Sequence, residues 1–324
     1  MKKIAFLLMG CTLFTIGCKK EDLADPNAVV DGNKVAAHRC ASYDVLTRQL
    51  QEDPSLAGRM KDIEDFTARI AQDPSANRLV NGVIVIPVVV NVLYNTTAQN
   101  VSATQIASQI TVLNNDYKGT NTDYSLTPTA FQSLRAGDTK IQFVLDTIIR
   151  KSTTTTSWST NNYMKMSTKG GINPTSPTTK LNLWCCNLGG GILGYAQFPG
   201  GSSTTDGVVI DDNAFGNTGT VAAPYNKGRT ATHEVGHWLN LRHIWGDATC
   251  GSDLVTDTPT HNAANYGCPV SGHKSTCTGT PVEMTMNYMD YTDDACMYMF
   301  TVGQKTRMNA LFATGGARVS FAQP

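Results

Sequence analysis

The sequence predicts an α/β fold of the α+β kind, and three observations carry that expectation. Strongly β-forming runs alternate with an amphipathic helix between residues 80 and 211. A second helix follows at 229–240, and after it comes a long irregular stretch holding four cysteines, closed by a last helix from about Thr301 to Ala313. Strands with helices first, then irregular chain, imply an upper half built on a twisted mixed sheet and a loop-rich lower half.

Composition removes several classes of function. The chain has 324 residues, 41% of them apolar and only 16% charged, with 26 basic side chains against 26 acidic ones. No net field draws such a chain to nucleic acid. The sole apolar run that could meet a bilayer, residues 4–17, is too short to span it comfortably. Low charge with abundant Thr, Ser and Asn fits an exported globular protein rather than a disordered charged one.

The amino terminus reads as an address. Met1-Lys2-Lys3 precedes the apolar run IAFLLMGCTLFTIG, the order of a secretory signal, and small Gly17 stands before Cys18. The segment resembles a bacterial lipobox, with residues 1–17 removed and Cys18 acylated. Cys11 is the competing position, but its apolar run is shorter than a signal needs. Lys20-Glu21-Asp22 resembles an outer-face sorting tag. The chain is therefore expected to be exported, as an outer-membrane lipoprotein at the cell surface or in secreted form, touching the membrane only through its lipid.

Residues 19–35 are polar and read as a tether. Residues 41–72 read as helical, with Asp53-Pro54 as an N-cap and first-turn proline, and Leu56, Met60, Ile63, Phe66 and Ile70 forming an apolar stripe. A polar stretch then separates residues 18–77, a tether and helical pro-segment, from a larger domain at 78–324. Within that domain GVIVIPVVVNVLY is a strand. Ser102 and Gln105 form a capping box before Ile106, Ile110, Leu113 and Tyr117, and Gly119 ends that helix. KIQFVLDTII alternates as a half-buried strand, TKLNLWCCN and DGVVID supply two more, and GGGILGYAQFP is a glycine-rich turn with an edge segment.

Residues 233–243 read HEVGHWLNLRH. His233 and His237, four apart on a helix, share one face and can grip one ion, and Glu234 lies beside them to take a proton from water. His243 adds a third nitrogen, which leaves a fourth zinc position open as a catalytic site requires. To bring His243 back, the helix must break after His237. Asn240 sits at the break, and asparagine is the non-glycine residue that best tolerates left-handed backbone.

This motif resembles that of the metzincin metalloproteases, HExxHxxGxxH, with Asn240 where the family carries glycine. NYMDY, the longer run MTMNYMDYTDDACMYMFTVGQKTRM, WCCNLGGGILGYAQFP and GDATCGSDLVTDTP together resemble the pappalysin family, in particular its short bacterial and archaeal members, over residues 80–314. The resemblance implies a metzincin catalytic domain and a zinc endopeptidase acting on protein or peptide substrates. It implies Met289 in a methionine turn beneath the metal and Tyr291 as stabiliser of the tetrahedral oxyanion. It implies disulfides pairing Cys250 with Cys277 and Cys268 with Cys296, where spacing alone leaves three pairings open. It also implies structural calcium at the 246–259 loop, with Asp253, Asp257 and Thr258 as side-chain candidates; turn capping is the rival account of these residues. Asp293 and Asp294 follow the methionine turn, where a carboxylate would favour Arg or Lys after the scissile bond, against a rival reading as solvated charges.

Cys185 and Cys186, neighbours in a strand, are expected to be buried free thiols. Cys40 lies in the pro-segment. It is either a latency plug on zinc, as in pappalysin-like precursors, or a small buried residue. The expected precursor cleaves itself between Asn77 and Arg78, in a linker whose composition suits proteolysis. The competing class of function is a surface binding protein on an inactive metzincin scaffold; intact His233, Glu234, His237 and His243 argue against it. Glu234 is the expected general base.

Overall fold

The computed structural model describes residues 40–73 and 82–322. Cys18, Asn77, Arg78 and the boundaries at 17 and 77 lie outside the described residues. Two helices, α1 (Ser42–Glu52) and α2 (Ser55–Gln72), come first. They are separated at Asp53-Pro54, where the Asp53 carboxylate accepts the Ser55 N–H at 3.1 Å. The strands are β1 (Ile84–Tyr94), β2 (Ile141–Ser152), β3 (Leu181–Cys186), β4 (Gly194–Ala196) and β5 (Val208–Asp211). Helix α3 (Ala103–Lys118) connects β1 to β2, α4 (Arg229–Trp238) follows the sheet, and α5 (Val302–Ala310) lies near the end. Among the described residues no helix is long and apolar enough to cross a membrane.

The sheet has the order β2-β1-β3-β5-β4, parallel throughout except for β4, which runs antiparallel to β5 at one edge. Strand β1 is rich in Val and Ile, seven of its eleven residues, because it is covered on both faces, the usual composition of a central parallel strand. Pro87 interrupts that run. It lies beside a register shift between Val88 and Val89 that leaves Asp146 of β2 unmatched, and a bulge is where a sheet tolerates a residue with no N–H to give.

Helix α3 covers one face of the sheet with Ile106, Ile110, Leu113 and Tyr117, and α4 joins the same core through Ala231, Val235 and Trp238. The Ser102 hydroxyl accepts the Gln105 N–H at 3.1 Å, but the reciprocal half of the expected capping box does not form. The Gln105 amide instead donates to Phe215 O at 3.0 Å and accepts the Thr220 N–H at 3.2 Å, so it holds the loop that leads to α4. The complete capping box is at α5, between Thr301 and Gln304. Cys185 and Cys186 are buried free thiols on opposite faces of β3. The two lower-half bridges are Cys250–Cys277 and Cys268–Cys296.

The two leading helices are built into this body. Helix α1 begins against β4, with Ala41 N–H donated to Gly194 O at 3.0 Å. Leu46, Leu56 and Met60 pack with Phe198, and Phe66 and Ile70 pack on Ala310 and Ala313 at α5.

Candidate metal centre and substrate cleft

Helix α4 is buried along its whole length and carries His233, Glu234 and His237. It ends in a left-handed turn. Asn240 has φ 70°, its N–H bonds to His237 O, and the Leu241 N–H reaches back to Gly236 O at 2.9 Å. This is the Schellman pattern, in which one left-handed residue satisfies the last helical carbonyls. The turn reverses the chain, so His243 returns to the face that His233 and His237 share.

The three imidazoles converge. His237 Nε2 lies 3.1 Å from His233 Nε2 and 3.1 Å from His243 Nε2. The opposite nitrogens fix the tautomers. His233 Nδ1 faces Tyr288 O at 2.7 Å and His237 Nδ1 faces Leu241 O at 2.7 Å. A carbonyl oxygen can only accept, so these Nδ1 atoms carry the proton and the Nε2 lone pairs point at one another. Bare lone pairs at that distance repel unless a cation stands between them. Tetrahedral zinc at its usual Zn–N length sets neighbouring nitrogens about 3.3 Å apart, so the donor set fits that ion. His243 differs from the other two in that its Nδ1 meets a carboxylate, Asp247, at 2.5 Å, and its ring stacks on Trp245 with centroids 4.3 Å apart. A carboxylate behind a ligand imidazole fixes its orientation and raises its basicity.

Cys40 completes the cluster. Its Sγ and the three histidine nitrogens all lie within 4.8 Å of one another, and all four residues are buried. The Tyr291 hydroxyl donates to Cys40 O at 3.1 Å. Glu234 is fully buried. Burial pushes its carboxyl up to about 8, against opposing hydrogen bonds from Ser42 and Cys40. Two glycines make room for these groups. A side-chain carbon on Gly194 would lie 2.9 Å from Glu234 Cγ, and one on Gly236 would lie 2.5 Å from Met289 Sδ. The methionine sulfur therefore presses directly on the backbone of the metal-site helix.

Beside Glu234 a small cavity is lined by Tyr225, Thr230, Tyr291, Thr292, Asp294 and Met297, among others. Asp294 is buried at its wall and accepts the backbone N–H of Lys227 at 2.7 Å and of Arg229 at 3.3 Å, at the amino end of α4. Asp293 does not line the cavity; its N–H is donated to Gly267 O. Of the side chains expected to hold calcium, Asp253 and Thr258 meet one another and Asp257 turns to a different partner. Asp253 accepts the Thr258 hydroxyl at 2.9 Å and the Val255 N–H at 3.1 Å. Asp257 accepts Thr301 Oγ1 at 2.7 Å and the Gly303 N–H at 2.8 Å, at the start of α5. Among the described residues, the one group of three or more His, Cys, Asp or Glu side chains able to close on an ion is the Cys40 and histidine cluster.

Sequence reasoning missed Ser42, Asp247 and Glu64. Ser42 opens α1 two positions after Cys40, and nothing in the local sequence distinguishes it from an ordinary helix-start serine. Asp247 was legible only as one of several oxygens in GDATCGSDLVTDTP. Nothing local marked Glu64. Its carboxylate, on helix α2, pairs with Arg307 and accepts the Asn240 amide at 3.4 Å, while Arg307 Nε donates to Asn240 O at 2.8 Å.

A family profile described as pregnancy-associated plasma protein-A, peptidase family M43, matches residues 190–313. An extracellular metalloprotease of Pyricularia oryzae is 43% identical over 140 residues, 41% of this chain and 48% of the relative. Extracellular metalloprotease 1 of Coccidioides posadasii is likewise 43% identical over 140 residues, covering 41% and 49%. The chain thus spans about half the length of these curated relatives. Among solved structures, Tannerella forsythia mature mirolysin in complex with a cleaved peptide is 48% identical, covering 74% of this chain and 96% of that one, with a TM-score of 0.72. A promirolysin variant from the same organism is 44% identical, covering 87% and 96%, with a TM-score of 0.79.

The turn generates a prediction. Asn240→Gly should bind zinc within a few-fold of the unaltered chain. Asn240→Val places a β-branched residue in left-handed backbone at about 1–2 kcal/mol and should weaken zinc about tenfold in a chelator competition. Equal affinity for the two variants would show that the third histidine does not depend on this turn.

Proposed function

The chain belongs to the pappalysin family of metzincin metallopeptidases, and from that premise we propose that it is a zinc endopeptidase made as a latent precursor, cutting before Arg or Lys. The observation that carries this reading is the convergence of three Nε2 lone pairs beside a buried carboxylate, in a cleft already filled by a strand of the chain's own pro-segment.

His233, His237 and His243 would hold zinc, which when bound would supply a Lewis acid for the scissile carbonyl and for water. Glu234 takes the proton from the attacking water and hands it to the leaving amine. The Tyr291 hydroxyl donates to the oxygen on which charge develops; its bond to the Cys40 carbonyl in the precursor supports that placement. Substrate adds as a strand along β4, the edge that Cys40 and Ala41 occupy before activation. Latency follows from that occupancy, with Cys40 as the fourth ligand. The mature enzyme is exported. Cys18 carries the lipid, and self-cleavage before Arg78, the one basic residue between Ile70 and Val83, releases the pro-segment.

Asp294 sets specificity. Its burial at the wall of the cavity beside Glu234 supports this role, and the position of Asp293 outside the cavity does not. Calcium is proposed at the 246–258 loop through Asp253 and backbone carbonyls. Asp253 is buried with amide and hydroxyl donors, and burial lifts its carboxyl to about 6, the circumstance in which a cation stabilises the charged form. Asp257 is already committed to the start of α5.

Four measurements test these assignments. Glu234→Gln should keep its zinc and lose at least about a hundredfold in peptide hydrolysis. The same variant should fail to process itself, while the active precursor yields a new amino terminus at Arg78; another terminus would overturn the site, and equal processing of the variant would overturn self-cleavage. Asp294→Asn keeps an acceptor for the two backbone amides but removes the charge. It should narrow the kcat/KM advantage of Arg over Leu after the scissile bond by at least about tenfold, the loss of one charged hydrogen bond. Calcium at a hundredfold excess over its Kd should stabilise the zinc-loaded protein by about 2.7 kcal/mol and so raise its Tm, whereas an unchanged Tm would leave the loop aspartates as turn caps alone.

A further inference from the structure

Two residues of the pro-segment face the reacting groups, and only one of them is a potential metal ligand. Cys40 bridges Gly194 as a parallel neighbour of β4. The chain then turns into α1 at Ala41, which joins the apolar cluster of Trp158, Leu188 and Tyr195, while Cys40 before it and Ser42 after it both reach the groups of the metal site. Ser42 is completely buried. Its Oγ donates to Glu234 Oε2 at 2.8 Å and accepts the Ala196 N–H at 2.8 Å. One hydroxyl thus takes an oxygen of the carboxylate that would accept a proton from water, together with an edge-strand amide that would bind a substrate carbonyl.

The Cys40 thiol also donates to Glu234 Oε2, at 3.3 Å, but only while the sulfur keeps its proton. A thiolate turned to a metal has no proton to donate. Ser42 is then the donor that remains on Oε2, and Glu234 Oε1 is buried without a hydrogen-bond partner.

We propose that Ser42 is a second latch of the precursor, closing the general base and the substrate-binding edge while Cys40 closes the metal. The proposal rests on the peptidase reading above, in which Glu234 is the base. It makes latency divisible. Loss of the thiol from the metal opens one side of the site and leaves the other shut, and activation requires both residues to leave together with the strand that carries them.

The first test needs no turnover. In the zinc-stripped full-length precursor, alkylation of Cys40 by iodoacetamide, followed by peptide mapping, reports how often the segment lifts away. Ser42→Ala should speed it about tenfold, the scale of a lost buried hydrogen bond. A double-mutant cycle with Glu234→Ala should show coupling, since the hydroxyl acts through that carboxylate. Purely additive effects would mean that Ser42 only fills space, and would overturn the proposal. The second test uses zinc-loaded precursors read on a quenched peptide before any processing is visible on a gel. The Cys40→Ala, Ser42→Ala double variant should run at least about tenfold faster than Cys40→Ala alone, as loss of the remaining latch requires. Equal rates would refute the second latch. If the processed chain shows no hydrolysis at all, the peptidase reading fails, and the alkylation cycle still decides whether Ser42 holds Glu234.

Discussion

The left-handed turn at Asn240 is the constraint on which the catalytic half depends. A straight helix through residues 233–243 would send His243 off the face that His233 and His237 share. The turn brings it back, and the same turn orients a second ligand, because Leu241 O is the acceptor for His237 Nδ1. Backbone geometry, helix ending and imidazole tautomer are therefore one interaction viewed at three scales. The replacement of the family's glycine has a physical correlate as well. Asparagine adopts φ 70° at modest cost, and its amide reaches Glu64 on α2, a contact glycine could not make. The residue that shapes the metal site is also held by the segment that covers it.

Buried charge clamps α4 at both ends. Arg229, at its first turn, lies between Asp116 and Asp123, with Nε and Nη2 each 3.0 Å from a carboxylate oxygen. At the far end Arg318 meets Asp206 at 2.9 Å, stacks over the Trp238 ring at 3.8 Å and donates to Trp238 O. Such pairs add little net stability after desolvation, but each would be costly to break singly. They fix where the helix lies relative to the sheet. That placement matters here because Gly236 rests on Met289 and Gly194 on Glu234, with no slack for a shift of even one methyl group.

Most of the metal-binding half was legible because helical periodicity encodes it. Offsets of four put His233 and His237 on one face, and a residue tolerant of left-handed backbone marked the break. The strands were legible from β-branched runs, and the edge segment from its glycines. The rest was hidden for identifiable reasons. Turn-capping and ion-binding aspartates share a composition, so GDATCGSDLVTDTP could not reveal that Asp257 faces the start of α5. Asp293 and Asp294 are adjacent, and in irregular chain no period says which one faces a cavity. Gln105 had the right spacing for a capping box, yet the loop at 212–220 claimed its amide, a tertiary demand that outweighs a local motif. The part played by Ser42 emerges only when the start of α1 is docked on β4, a long-range contact that no local pattern announces.

The buried thiols of β3 bear on how the lower half acquires its covalent frame. A chain with seven cysteines from Cys40 onward could cross-link in many wrong ways, and exchange proceeds through thiolates that can reach a disulfide. Cys185 and Cys186 lie in the sheet interior, where burial raises both thiols well above their ordinary range, and so they are inert once the strands pair. Cys40 is withdrawn in the same way when α1 docks. Only the four cysteines of the irregular region then remain to find one another, among three possible pairings. Burial in the sheet and beneath α1 thus keeps three thiols from exchanging with the two bridges of the irregular region.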